Sequence, residues 1–198
     1  MTKTALSNYF SPHRRYYRSV NLERDIAKSD AIQGYVLTER ASEALIRIVS
    51  AFGNPDAHRA WTMTGVYGTG KSAFAHYLTA LCTPEENSLR RAALKIAKGT
   101  FGHDSGEWQA IADNLPDSGL LRAVATGQRE PLSWTIARAL SRGADLHWQR
   151  KRKPKLCKQL TDWEIELARG TAQITNQQVL TAIPQLIVSS KLKIFPKF

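Results

Sequence analysis

Residues 65–72 read GVYGTGKS, and this stretch decides the fold that the sequence predicts. It matches the pattern G-x-x-x-x-G-K-S, in which glycines let the backbone curl so that successive N–H groups face a chain of phosphates. In this pattern Lys71 reaches phosphate oxygens, and the hydroxyl of Ser72 ligates Mg²⁺. A helix that begins here adds the partial positive charge of its N-terminus. The stretch therefore predicts a loop that binds phosphate.

The residues on both sides of this loop fit that interpretation. Residues 60–64 (AWTMT) suit a β-strand, and a turn signal at residues 54–56 (NPD) precedes them. After the loop, apolar residues recur at helical spacing, namely Ala73, Phe74, Tyr77, Leu78 and Leu81. Strand, loop and helix thus arrive in the required order. These flanks disfavour the alternative, which is a glycine turn followed by an exposed lysine and a capping serine.

The chain resembles the P-loop NTPase superfamily through this Walker A pattern, and the additional Gly68 makes it most similar to AAA+ and STAND-type ATPases. The resemblance covers residues 35–82 and implies ATP and Mg²⁺ as cofactors. No N-K-x-D motif for reading guanine is found. The residues that the resemblance assigns to the nucleotide are Gly65, Val66, Tyr67, Gly68, Thr69, Gly70, Lys71, Ser72 and Ala73. It also assigns Ser72 to the metal ion.

The fold class expected from the resemblance is α/β, a partial P-loop core of three α/β/α layers around a parallel sheet, with many helices. Residues 1–34 are expected to form an irregular arm that is basic and aromatic, and residues 35–198 the ATPase core. A second, largely buried strand is predicted at residues 119–126, followed by a helix that Pro131 opens. A third short strand is predicted at residues 191–195, where polar and apolar residues alternate.

Helix starts can be predicted from capping residues. Thr38 is a plausible N-cap for a helix that runs to Phe52 and stops at Gly53. Capping boxes, in which a Ser or Thr precedes a Glu by three residues, predict further helix starts at Thr83 and Thr161. The five tryptophans lie mostly within apolar patterns and are expected in the core.

A Walker B element, an apolar strand that ends in Asp, is not found after Ser72. We therefore expect ATP binding with little hydrolysis by this chain alone, and no catalytic residue is assigned. The missing element also predicts that the ATPase core is incomplete at its C-terminus and is the N-terminal part of a larger ATPase. Arg129 and Glu130 follow the second predicted strand, where both an approach to the nucleotide and a structural role, as a surface ion pair or a helix-start acid, remain open.

The net charge of +11 and the pI near 9.9 favour polyanionic partners. Two segments concentrate the charge: residues 13–18 mix bases with tyrosines, and residues 150–155 form a bare basic run. Either segment could bind nucleic acid, and either could be a solvated arm or linker. The alternative function is thus a basic DNA- or RNA-binding protein in which nucleotide binding is incidental.

Composition limits the class of protein and the cellular compartment that can be expected. The hydrophobic share of 42% is ordinary for a globular protein, and no apolar run approaches the length that crosses a bilayer. Cys82 and Cys157 form no C-x-x-C pair, so free thiols in a reducing cytoplasm are expected. The expected partners are a nucleotide and, as an alternative, nucleic acid. A second copy of the chain or a partner protein is expected if the chain is a fragment.

Overall fold

The computed structural model describes residues 20–28, 32–54, 56–149 and 152–189. All regular secondary structure within these ranges is helical. The eight helices are α1 (Leu22–Asp25), α2 (Glu39–Phe52), α3 (Lys71–Leu81), α4 (Ser88–Phe101), α5 (Gly106–Asn114), α6 (Leu132–His147), α7 (Lys155–Arg169) and α8 (Asn176–Ser189).

The predicted α/β fold with a parallel sheet is wrong, because the described residues contain no β-strand. Residues 60–64 and 119–126, both predicted as strands, belong to no regular element. A strand exists only when a neighbour takes up its N–H and C=O groups. Among the described residues, none of residues 60–64 makes a backbone hydrogen bond to another segment. The third predicted strand, at residues 191–195, lies outside the described residues.

The assignment to the P-loop NTPase superfamily is corrected with the fold. That superfamily is built on a parallel sheet whose strands end at the phosphate loop, and the described residues supply helices alone. The AAA+ and STAND-type resemblance therefore reduces to the local pattern at residues 65–72. It does not extend to the architecture around that pattern.

The first half of the described chain packs around one hydrophobic core, which we call the N-terminal cluster. Its helices are α2 to α5, with α2 against α5 and α3 against α4. The cluster consists of the buried side chains Ile32, Leu37, Leu45, Ile48, Val49, Phe74, Tyr77, Ala80, Leu81, Leu89, Ala93, Ala97, Ile111 and Leu115. Ile32 is fully buried, so the predicted arm of residues 1–34 reaches the core at its C-terminal end.

A second core, the C-terminal cluster, is formed by α6, α7 and α8, with α6 and α7 in the most extensive contact. Its buried side chains are Ala137, Leu140, Ala144, Trp148, Cys157, Leu160, Trp163, Ala172, Ile174, Val179, Ala182 and Leu186. Pro131 and Pro154 stand just before α6 and α7, where the missing N–H costs nothing. Pro184 is accommodated inside α8.

The segment 119–126 runs between the two clusters. At one end the amide of Leu120 donates to the carbonyl of Cys82 at 2.8 Å. At the other end the carboxylate of Glu23 accepts from the amide of Thr126, and it also pairs with Arg142 of α6 at 2.9 Å. This segment therefore links the end of α3 to α1 through hydrogen bonds, without forming a strand, and Glu23 of α1 continues the link to α6.

No helix in the described ranges combines the length and the apolar character that crossing a bilayer requires.

Candidate functional site

The glycine loop, residues 65–72, forms a turn that leads directly into α3. Gly68 and Gly70 have φ angles of 85° and 84°, in the left-handed region that side chains other than glycine rarely adopt. A Cβ atom at either position would meet no neighbouring atom, so the backbone angle alone requires glycine there. Gly70 is the N-cap of α3 and carries no capping side chain. The first amides of α3 are therefore not occupied by a side-chain cap.

Lys71 folds back over the loop that precedes it. Its ammonium donates to the carbonyl of Gly65 at 2.8 Å and to that of Val66 at 2.7 Å. The hydroxyl of Thr69 lies 3.4 Å from the same Nζ atom and itself donates to Val66 at 2.9 Å. The loop thus encloses a positive charge at the start of a helix, which is the electrostatic arrangement that anions bind.

A cavity of about 550 Å³ lies beside the loop. One wall is α2, another is the segment 61–64, and the glycine loop with α3 closes the end at Lys71. Its volume falls within the range of small-molecule sites, which is roughly 300–1,000 Å³. The apolar part of its lining includes Tyr35, Trp61 and Phe74. The cavity therefore has an apolar, aromatic region next to the glycine loop, which resembles a phosphate-binding loop.

The charge of the cavity wall is positive. Arg40, Arg47 and Lys71 line it, and no Asp or Glu is among the described residues of its lining. The guanidinium of Arg47 lies 5.3 Å from the centroid of the Trp61 ring, a cation–π contact. Three cations, with no carboxylate among the described lining residues, attract an anionic ligand and disfavour a neutral or cationic one.

A protein-held metal ion does not fit this site. Ser72 is exposed, and no carboxylate is among the described residues that line the cavity. The described residues also contain no cluster of three or more His, Cys, Asp or Glu side chains that could hold a metal. Mg²⁺ is normally bound through one or two carboxylates together with substrate phosphates. Any Mg²⁺ here would be held by the phosphates of a ligand, since Ser72, the residue predicted to ligate the metal, is not among the described residues that line the cavity.

The nine predicted site residues occupy one continuous stretch of the structure, and Gly65, Thr69, Gly70 and Lys71 line the cavity. Val66 and Tyr67 are exposed, with 75% and 95% of their surface accessible. Glu130, for which two interpretations were open, pairs with Arg138 at 2.7 Å. The hydrogen bond from the Thr135 hydroxyl, with that of Arg138, lowers the pKa of Glu130. Glu130 does not line the cavity, which favours the ion-pair interpretation.

Sequence reasoning missed the α2 side of the cavity. Arg40, Ala44 and Arg47 are spaced i, i+4 and i+7 and therefore share one face of the helix. That spacing is readable in the sequence, but its position opposite the glycine loop is not. Trp61, expected in the core, is 41% exposed at the cavity, whereas Trp148 and Trp163 are buried as predicted.

No protein-family model, curated protein or solved structure matches this chain. The predicted description as a P-loop or AAA+ ATPase thus has no support from relatives, and it is contradicted by the described part of the chain, which contains no sheet.

Proposed function

We propose that this chain binds ATP, with Mg²⁺ carried on the nucleotide's phosphates, through the glycine loop and the cavity beside it. The observation that carries the proposal is the position of Lys71. Its ammonium is held by loop carbonyls at the start of α3 and lines a cavity whose described residues include three cations and no acid. A polyphosphate is the common biological ligand that needs several positive charges and free backbone amides at a helix start.

The remainder of the cavity supports a nucleotide over a free polyphosphate. Tyr35 and Trp61 offer aromatic surface on which a base can rest, on the same cavity as the cations. Aromatic surface of this kind adds nothing to the binding of inorganic phosphate. The proposal concerns binding and not hydrolysis, because the described residues of the lining include no carboxylate that could orient a water molecule.

Isothermal titration of the full chain with ATP and Mg²⁺ tests the proposal, with Lys71→Met compared against Lys95→Met. Lys71→Met removes a charge-assisted contact of about 1.5–3 kcal/mol, so affinity should fall at least about tenfold. Lys95 is an exposed residue of α4 outside the cavity lining, so its substitution removes the same charge without touching the site. Thermal denaturation of each variant checks that the fold is retained. Absence of saturable binding by the unsubstituted chain, or equal losses in both variants, would refute the proposal.

The alternative partner, nucleic acid, rests on the net charge of +11. Residues 13–18, one of its two basic segments, lie outside the described residues. In the other, Lys153 pairs with Asp145 at 2.7 Å, and this neutralises part of the run. Binding of an oligonucleotide that survives Lys71→Met and weakens steeply with salt would favour this alternative.

A further inference from the structure

The α2 wall of the cavity carries two arginines on one helical face. Arg40 and Arg47 are seven residues apart, which places them two turns, roughly 10 Å, apart along the helix. Ala44 lies between them and leaves room above the helix surface. Lys71 approaches the same cavity from α3. Positive charge is thus supplied from two elements that are separate in sequence.

Arg47 contacts an aromatic ring and no acid. Its Cζ atom lies 5.3 Å from the centroid of the Trp61 ring, and within the described residues its side chain makes no ion pair or hydrogen bond. A cation–π contact uses the charge of the guanidinium and not its N–H donors. Arg47 therefore lies beside Trp61 with several donors that no described protein group uses.

We propose that Arg47, positioned by Trp61, is a second anion-binding residue of this cavity and selects ligands that carry more than one phosphate. This inference rests on the proposed ATP binding and adds a specificity-determining residue to it. Lys71 and the start of α3 hold one part of the polyphosphate chain, and Arg47 neutralises another. A ligand with a single phosphate satisfies one of these two charges and gains little from the other.

Titration of the full chain with ATP, inorganic triphosphate and AMP tests this selection in the variant Arg47→Met. We expect ATP and triphosphate to bind about fivefold more weakly, since Arg47 is exposed to solvent, while the affinity for AMP changes less than twofold. Arg47→Lys keeps the charge and should recover part of the loss. Arg169→Met, at the exposed end of α7, removes the same charge outside the cavity and should leave all three affinities unchanged.

Trp61 provides a second readout, which reports whether ATP occupies the cavity beside Arg47. We expect ATP to change the tryptophan emission of the unsubstituted chain, and Trp61→Phe to remove most of that change. If Arg47→Met binds ATP and triphosphate as tightly as the unsubstituted chain while Lys71→Met does not, this inference fails and the proposed function stands. If Arg47→Met weakens ATP but not triphosphate, Arg47 acts on the base or ribose and the inference is overturned. If the unsubstituted chain binds neither ATP nor triphosphate, the proposed function fails and the inference fails with it.

Discussion

The N-terminal and C-terminal clusters of this protein differ in how the backbone N–H and C=O groups of their segments are hydrogen-bonded. In the C-terminal cluster, helices α6, α7 and α8 pair their own N–H and C=O groups and bury apolar faces against one another. In the N-terminal cluster, helices α2 to α5 do the same, but the segment 60–64 beside them makes no backbone hydrogen bond to another described segment. Several of its side chains stay exposed, including Trp61 at 41% and Met63 at 43%.

The difference teaches where a ligand site can form in a helical protein. When helices pack only against one another, a ligand can contact little besides their outer side chains. A segment outside the helices can form one side of a cavity and leave the N–H groups of a helix start accessible. The glycine loop and the cavity lie at that edge of the N-terminal cluster. Removing a buried side chain should therefore lower the free energy of unfolding in either cluster, but only a change in the N-terminal cluster should also weaken ligand binding.

The largest effects are expected from core truncations, one in each cluster. Leu45 and Leu160 are both fully buried, so Leu45→Ala and Leu160→Ala should each lower the free energy of unfolding by about 2–5 kcal/mol. Leu45→Ala should also weaken ATP binding, because α2 carries Arg40 and Arg47. Urea denaturation and titration of both variants measure this. The comparison breaks if Leu160→Ala weakens ATP as much as Leu45→Ala does.

A buried arginine of the N-terminal cluster gives the next largest effect. The guanidinium of Arg90 donates to the carbonyls of Leu115, Pro116 and Thr83 at 3.1, 2.6 and 3.1 Å. Arg90→Met leaves these carbonyls without that donor and should cost about 2–3 kcal/mol in urea denaturation. The neighbouring Arg91 is exposed, so Arg91→Met is the matched control and should stay within about 0.5 kcal/mol. Equal losses would show that Arg90 does not hold α4 to the end of α5.

Alkaline pH should weaken the N-terminal cluster through Cys82. Burial raises the pKa of the Cys82 thiol to about 12, above the ordinary value of 9.0 that it regains on unfolding. The unfolded chain therefore loses this proton first. Its contribution to stability is complete below pH 9 and is lost as pH rises toward the folded pKa, by at most about 1.4 kcal/mol per pH unit.

Urea denaturation between roughly pH 8 and pH 10 tests this, with Cys82→Ala as the comparison. The variant should be less stable overall but should lose less stability with rising pH. Parallel pH profiles for the two proteins would contradict the assignment. Burial also raises the pKa of Tyr77, so the unsubstituted chain and the variant share any loss from that group.

Two helical glycines should give the smallest effects, with opposite signs. A Cβ on Gly143 of α6 would lie 2.9 Å from the carbonyl oxygen of Arg122, whereas a Cβ on Gly99 of α4 would meet nothing. Gly99→Ala should raise the free energy of unfolding by about 0.5–1 kcal/mol through helix propensity. Gly143→Ala should lower it by about 1 kcal/mol or more despite the same propensity gain. A stabilising Gly143→Ala would show that the segment 119–126 does not pack closely on α6.

Two helix starts were predicted correctly from local capping signals. Thr38 accepts from the amide of Ala41 at 3.4 Å and begins α2, which ends at Phe52 as predicted. Pro131 stands just before α6, also as predicted. The capping boxes at Thr83 and Thr161 were wrong. Asn87 caps α4 instead, and Thr161 lies inside α7.

The two wrong capping boxes have a common cause. Any Ser or Thr that precedes a Glu by three residues satisfies the capping-box pattern. The pattern does not show whether another residue nearby caps the helix instead. The hydroxyl of Thr83 bonds back to Ala80 at 2.8 Å, and that of Thr161 to Cys157 at 2.9 Å. Both hydroxyls thus serve the preceding helical turn, which is an equally short-range use of the same group.

The sequence by itself determined the glycine loop, the start of α3 at Lys71 and the excess of positive charge. Each of these depends on residues close together in the chain, because a left-handed glycine and a helix start need no distant partner. The tertiary structure alone decided whether residues 60–64 and 119–126 became strands, since a strand is defined by the backbone that pairs with it. The tertiary structure also decided that Arg40, Arg47 and Trp61 line the same cavity as the glycine loop, because their position depends on how α2 packs.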